Sequence, residues 1–329
     1  MFSDRALRRS AKYALLAGAL GFSALAAAPV SAQQSDNPVA LKPVPTKAGA
    51  YNPHVPEAKN MQMIGYNDLQ ARTAYQPTIK QQGNRWILYV GHHGGRMVNP
   101  MNGQEEENGT SILDVTNPKA PKYLVHIPGE KGKVVPGRET GGSQMARVCS
   151  GEELPKGEKG KFYLLRTWGD SGQEVFDVTV PEKPVRIVKL EGFTSTHKNN
   201  WECSTGIALI VGSGDKDKWR SSRITSFYDL SDPKNPVKIR EYGLPEQLKT
   251  ATGYEPGQIH GPISVPELNR VFFGYGTNRR GVAQIVDREK LLKGNPEPTP
   301  ESLKEAEIGD RKSTRLNSSH TDISRMPSS

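Results

Sequence analysis

A ten-residue phrase is written three times along this chain, and that repetition constrains the fold more than any other feature. Ile112-Leu113-Asp114-Val115-Thr116-Asn117-Pro118-Lys119-Ala120-Pro121 returns as Val175-Phe176-Asp177-Val178-Thr179-Val180-Pro181-Glu182-Lys183-Pro184 and as Phe227-Tyr228-Asp229-Leu230-Ser231-Asp232-Pro233-Lys234-Asn235-Pro236. A fainter fourth copy, Gln284-Ile285-Val286-Asp287-Arg288, lacks the prolines. Each copy is a short β-branched, aromatic or aliphatic run that ends at an aspartate. A hydroxyl residue and two prolines follow in the three full copies. The aspartate and the hydroxyl can accept hydrogen bonds from the turn's own amides, and each proline fixes φ and removes a ladder donor, so a strand runs into a turn there. A second strand-like run follows each pair of prolines: Lys122 to Ile127, Val185 to Leu190 and Val237 to Tyr242. The last two alternate apolar with charged residues, as half-buried strands do.

The repeated aspartates Asp114, Asp177, Asp229 and Asp287 are 63, 52 and 58 residues apart. Short strands throughout and no helical period at that spacing predict an all-β propeller of four-stranded antiparallel blades. Second strands are read at Arg85 to Val90, Phe162 to Trp168, Ile207 to Val211 and Arg270 to Tyr275. Weaker first strands are read at about Tyr75 to Lys80, Gln144 to Cys149, Asn199 to Cys203 and Ile259 to Val265.

These phrases resemble the LVIVD repeat, a β-propeller repeat of secreted and surface bacterial proteins. The resemblance covers roughly residues 65 to 290 and implies about four blades here, of the seven common in such proteins. It speaks to architecture, since propellers host unrelated activities.

Residues 1–32 read as a signal peptide: Arg5, Arg8, Arg9 and Lys12, then the Ala-rich run Tyr13 to Val30, then Val30-Ser31-Ala32 as a cleavage site. The run is short and is followed at once by a polar segment, so no transmembrane anchor is expected after cleavage. The expected location is periplasmic or secreted. Residues 33–57 read as an extended linker, and 58–309 as the partial propeller; Lys59 to Tyr66 is a candidate ring-closing strand. Residues 310–329 read as non-native: Asp310 to His320 back-translates to a short-read sequencing adapter, and Ser324 to Ser329 to its continuation. Without the signal and that tail, 36 basic residues face 32 acidic ones, so the net charge falls from +9 to +4. That balance, with no basic cluster interleaved with aromatics, argues against a nucleic-acid partner.

Cys149 and Cys203 are the only cysteines, each before a serine near the end of its blade's first strand. A disulfide between adjacent blades suits an exported chain, with two buried thiols as the alternative. His92, His93, His197 and His260 are the candidate metal ligands, because imidazoles converging on a propeller axis can hold a transition metal such as copper or iron. Separate loop histidines are the other reading. Arg147, Glu202, Trp168 and Trp201 lie near the same strand ends, while Asp170, Asp215 and Asp217 read as solvated turns rather than a calcium loop. No G-x-S-x-G, P-loop or H-E-x-x-H motif is present. The expected function is therefore that of an exported propeller binding or scaffolding an unknown protein or small-molecule ligand. The alternative is a metal-dependent oxidoreductase similar in plan to selenium-binding-protein and methanethiol-oxidase propellers.

Overall fold

The structure is a computed structural model that describes residues 62–131, 142–277, 281–308 and 312–314. The chain divides into Met1–Val55 and Pro56–Ser329. The expected signal peptide and linker, and most of the adapter-like tail, lie outside the described residues.

Four antiparallel sheets follow one another in the second unit. The first contains β1 (Tyr75–Gln82), β2 (Arg85–Gly91), β5 (Thr110–Asp114) and β6 (Lys122–Ile127), with the small hairpin β3 (Arg96–Asn99) and β4 (Gln104–Glu107) inserted after β2. The second is a meander of β7 (Ala146–Ser150), β8 (Phe162–Trp168), β9 (Gly172–Asp177) and β10 (Val185–Leu190). The third repeats it with β11 (Asn199–Trp201), β12 (Ile207–Gly212), β13 (Ile224–Asp229) and β14 (Val237–Tyr242). In the fourth, β15 (Gln258–Ile259) and β16 (Ile263–Val265) share the inner position beside β17 (Arg270–Thr277), followed by β18 (Gly281–Asp287) and β19 (Lys312–Thr314). This is an all-β propeller fold with four sheets among the described residues. The innermost strands β1, β7 and β11 pack side by side.

The sequence repeat is a structural repeat. Asp114, Asp177 and Asp229 end the third strand of their sheets and pair with Lys122, Val185 and Val237, the residues just after the second prolines. Their Oδ1 atoms accept from the amides of Thr116, Thr179 and Ser231 at 2.9, 2.9 and 2.8 Å. The hydroxyls of Thr116 and Thr179 accept in turn from the amides of Trp86 and Phe162, at 2.9 and 3.1 Å. The aspartate thus closes the turn, and in the first two sheets the threonine two positions on anchors it to the second strand. A bulge sits at the same place in each of the three sheets, between third and fourth strands. In the fourth sheet Asp287 caps a helix instead, accepting from the amide of Lys290 at 3.0 Å. Without the prolines the chain continues into α1 (Arg288–Lys293) and then α2 (Pro300–Lys304). The outer edge is β19, which falls inside the stretch read as adapter-derived.

Packing follows the two-residue period of the strands. In β8, Leu164 faces the first sheet, while Tyr163 and Leu165 face the third. In β12, Ala208 faces the second sheet, while Leu209 and Val211 face the fourth. Each gap between sheets is thereby a separate core, where a fully buried aliphatic or aromatic side chain contributes about 1.5–3 kcal/mol. Cys149 and Cys203 are joined by a disulfide across the gap between second and third sheets, with Cα atoms 5.4 Å apart.

Residues 62–68 form no strand, contrary to the ring-closing strand expected over Lys59 to Tyr66. Instead the backbone at Gly65 lies against the first repeat turn, where a Cβ would meet the Pro118 carbonyl oxygen at 1.9 Å. Close approach to that turn keeps this segment out of any ladder.

Candidate functional site

The starts of the inner strands lie at one mouth of the propeller, and side chains from three sheets meet there. Tyr75 opens β1, His197 and Lys198 immediately precede β11, and His260 follows β15. The ammonium of Lys198 donates to the Tyr75 hydroxyl and lies 3.9 Å over the centre of its ring. First and third sheets are not neighbours in the ring, so this contact crosses the mouth. His93, just past the end of β2, sets its ring edge-on to Tyr75 at 4.5 Å between centroids.

His197 and His260 make the second half of the site, with ring centroids 4.7 Å apart in an edge arrangement. The His197 side chain is buried, whereas His260 is exposed. Burial first, then the charges of Arg223 and Lys198 and the neighbouring His260 and His93, push the His197 pKa down to about 3. Its imidazole is therefore neutral at ordinary pH, one nitrogen a donor and the other an acceptor. Among the described residues it makes no hydrogen bond through its ring. Arg223 is held by its Nε donating to the Ser195 carbonyl at 3.0 Å, and Ser195 itself has the left-handed φ of 58°. A serine in that region costs of order 1 kcal/mol, the kind of strain that gathers at binding sites.

Of the four candidate metal ligands, the structure brings His197 and His260 into contact and places His93 close enough to act on His197 electrostatically. It turns His92 elsewhere. The His92 Nδ1–H donates to the Thr73 carbonyl, and Nε2 accepts from the Ser111 hydroxyl at 2.7 Å, which in turn takes a hydrogen bond from Tyr123 at 2.6 Å. That chain consumes both ring nitrogens, and burial pushes the His92 pKa down to about 4. Among the described residues no three His, Cys, Asp or Glu side chains are arranged to hold a metal ion.

His126 went unremarked in the sequence because nothing there ties it to Glu106. In the fold its Nδ1 donates to Glu106 Oε2 at 2.6 Å and its Nε2 accepts from the Gly109 amide at 3.0 Å. An acceptor at Nε2 requires the neutral tautomer, and burial pushes the pKa down to about 3. Tyr75, Lys198 and Arg223 were also missed; only the adjacency of Lys198 to His197 hinted at one of them.

The remaining candidates are structural. Glu202 pairs with Arg288, tying third sheet to fourth. Trp201 is buried between second and third sheets, and Trp168 is covered by the Lys189 ammonium 3.2 Å over its ring. Asp215 accepts from the Asp217 amide at 2.9 Å, an ordinary Asx turn. The half-buried Arg147 reaches Gln76 on β1 at 3.4 Å.

No family model and no curated protein matches the chain. Among solved structures it is similar to the β-propeller domain of Vanderwaltozyma polyspora Nup133, with 12% identity over 73% of this chain and 63% of that one and a TM-score of 0.32. An oligogalacturonate lyase in complex with manganese shares 7% identity over 65% of this chain and 48% of that one, with a TM-score of 0.32. A protein of Parabacteroides distasonis named as a glycoside hydrolase shares 12% identity over 73% of this chain and 72% of that one, again with a TM-score of 0.32. The chain thus spans less than two thirds of the first two. The fold assignment rests on the sheets described above. No helix among the described residues is long and apolar enough to cross a membrane.

Proposed function

We propose that this chain is an exported LVIVD-type propeller that binds a small-molecule ligand at its axial mouth. The observation that carries the reading is the convergence of Tyr75, Lys198 with His197, and His260, from three different sheets, on one opening. Loops at strand ends held by a rigid scaffold are where propellers place binding groups. Two features support export to the periplasm or beyond: the basic, Ala-rich start with its Val30-Ser31-Ala32 site, and the inter-sheet disulfide, which persists in an oxidising compartment.

Native mass spectrometry tests the binding role. The full chain, incubated with a small-molecule extract and desalted, should retain an adduct that Gly261→Val loses. A Cβ at Gly261 would press on the Lys198 side chain at 3.1 Å, so the valine crowds the mouth. Equal retention by both proteins would overturn the mouth as the binding site. Fractionation of cells expressing the chain with and without residues 1–32 tests export.

The oxidoreductase alternative has the His197–His260 pair in its favour. Among the described residues no third ligating side chain is arranged beside these two imidazoles, and no redox step is derived from the pair. Stoichiometric copper or iron in the purified protein, lost from a His197→Ala, His260→Ala variant, would reverse this ranking.

A further inference from the structure

Two asparagines of this chain precede a glycine, in Asn102-Gly103 and Asn108-Gly109, and the fold treats them in opposite ways. Asn108 is 4% exposed; its Oδ1 accepts from Arg72 at 2.7 Å and its Nδ2 donates to the His93 carbonyl at 3.0 Å. The Gly109 amide donates to His126 Nε2 at 3.0 Å, and a Cβ on Gly109 would meet the Ile127 carbonyl oxygen at 2.0 Å. In such close packing neither the side chain nor the following amide can turn toward the other. Asn102 and Gly103 instead form the tip of the β3–β4 hairpin, where every residue from Pro100 to Glu105 is exposed. Gly103 has a φ of 71°, and nothing lies within 4 Å of where its Cβ would stand. Asn102 Oδ1 accepts from the Gln104 amide at 2.9 Å, and its Nδ2 donates to Glu106 Oε1 at 2.8 Å. A donor at Oδ1 polarises the side-chain carbonyl and stands where negative charge develops when a nucleophile adds to it. The nearest nucleophile in the chain is the next amide nitrogen, which a glycine without a Cβ hinders least.

We infer that Asn102 is a site of spontaneous covalent modification, converted through a cyclic imide to aspartate and isoaspartate. The Gly103 nitrogen forms a bond to Asn102 Cγ and gives its proton to solvent. The Cγ–Nδ2 bond breaks, and Nδ2 leaves as ammonia with a proton from water. Water then opens the five-membered imide at either carbonyl, so one water is consumed, one ammonia is released and nothing is oxidised or reduced. The Gly103 amide must first release the Asn99 carbonyl, which it contacts at 2.8 Å, and an exposed turn opens locally without disturbing a core. The product matters because of Glu106. Its Oε2 accepts from Asn99 at 3.1 Å and from His126 at 2.6 Å, which ties the hairpin to β6. A carboxylate at position 102 replaces a donor to Glu106 with a second negative charge, and so loosens the hairpin from the first sheet.

Peptide mapping by mass spectrometry of the full chain, aged at pH 8 and 37 °C, tests the site. Asn102 should convert at least tenfold faster than Asn108 in the folded protein, with isoaspartate among the products, and the two rates should come together in urea. Equal rates in the folded protein, or an Asn102 that converts only in urea, would overturn the inference. Amide hydrogen exchange tests the consequence. Asn102→Asp should speed exchange across β3 and β4 at least threefold. Asn102→Ala, which deletes the donor without adding charge, should speed it less, and both variants should keep the wild-type circular dichroism spectrum. Exchange as slow in Asn102→Asp as in wild type would overturn the link through Glu106, and equal acceleration in both variants would overturn the charge repulsion.

Discussion

The Lys198 ammonium reaches across the mouth of the propeller to the Tyr75 ring, 3.9 Å from its centre, and donates to the Tyr75 hydroxyl. The two residues are 123 positions apart and sit on non-adjacent sheets. A contact of this kind forms only when the intervening second sheet is in place, so it reports the curvature of the ring as well as the chemistry of the mouth.

Tyr75→Phe keeps the ring and deletes the hydroxyl. Hydrogen bonds to charged groups are worth about 1.5–3 kcal/mol, and the remaining cation–π contact about 1–2 kcal/mol. The phenylalanine variant should therefore lose roughly 1–2 kcal/mol in urea unfolding, and Tyr75→Ala distinctly more. Equal losses in the two variants would mean that the ring contributes nothing to holding Lys198.

The Cys149–Cys203 bridge closes a loop with a sequence separation of 54 and ties second sheet to third. Chain entropy alone gives a cross-link of that span about 4 kcal/mol, and native bridges commonly deliver about 2–4 kcal/mol. A Cys149→Ala, Cys203→Ala protein should unfold at correspondingly lower urea concentration and become insensitive to dithiothreitol, while wild type should fall to the same midpoint under reduction. A wild-type midpoint unchanged by reductant would show the bridge to be absent in the folded protein.

Acid should destabilise the first sheet before the carboxylates titrate. His92 and His126 are held neutral by burial, with pKa values pushed down from 6.5 to about 4 and about 3. Between pH 6.5 and 4 the unfolded chain takes up protons at these positions that the folded chain refuses, so stability is complete above pH 6.5 and falls as pH drops toward 4. For His92, 0% exposed, the loss is on the order of 3 kcal/mol at most. Urea midpoints measured from pH 7.5 to 4.5 should fall in wild type and fall less steeply in His92→Gln, whose amide can still donate to Thr73 and accept from Ser111. Parallel curves for the two proteins would assign the acid sensitivity to other groups.

What could be read in advance was what local chemistry repeats. The aspartates, hydroxyls and prolines of the repeat fix the turns, and Asp114, Asp177 and Asp229 take up their amides in the same register. The second strands were legible as apolar runs, buried on both faces in β8 and β12 and mainly on one face in β2 and β17. The mouth was only half legible. Histidines draw attention because few residue types can ligate or titrate near neutrality, whereas Tyr75, Lys198 and Arg223 look like surface residues until three sheets bring them together. His92 illustrates the converse. It sits beside His93 in the chain, yet strand alternation turns the two rings to different partners, Thr73 with Ser111 for one and Tyr75 for the other. The hairpin of β3 and β4, where Glu106 holds His126, and the helices after Asp287 repeat nothing and so left no signal.

The far face of the fourth sheet carries the last prediction. Ile263, Phe272 and Ile285 are direct cross-strand partners on β16, β17 and β18, so their side chains form one apolar row. Ile263 is 62% exposed and Ile285 42%, whereas Val271, Phe273 and Val286, on the opposite face of the same strands, are buried against the third sheet. A sheet with one face packed and the other apolar and open tends to pair with another apolar surface. The chain as given should therefore associate with rising concentration, and a charge in the row should suppress this without loss of fold. Ile285→Lys should shift light scattering toward monomer while changing the urea midpoint by no more than about 0.5 kcal/mol equivalent, as for an exposed position. Destabilisation by about 2 kcal/mol or more would instead show that Ile285 is covered in the folded protein, and that the outer face of the fourth sheet is a packed core rather than an open surface.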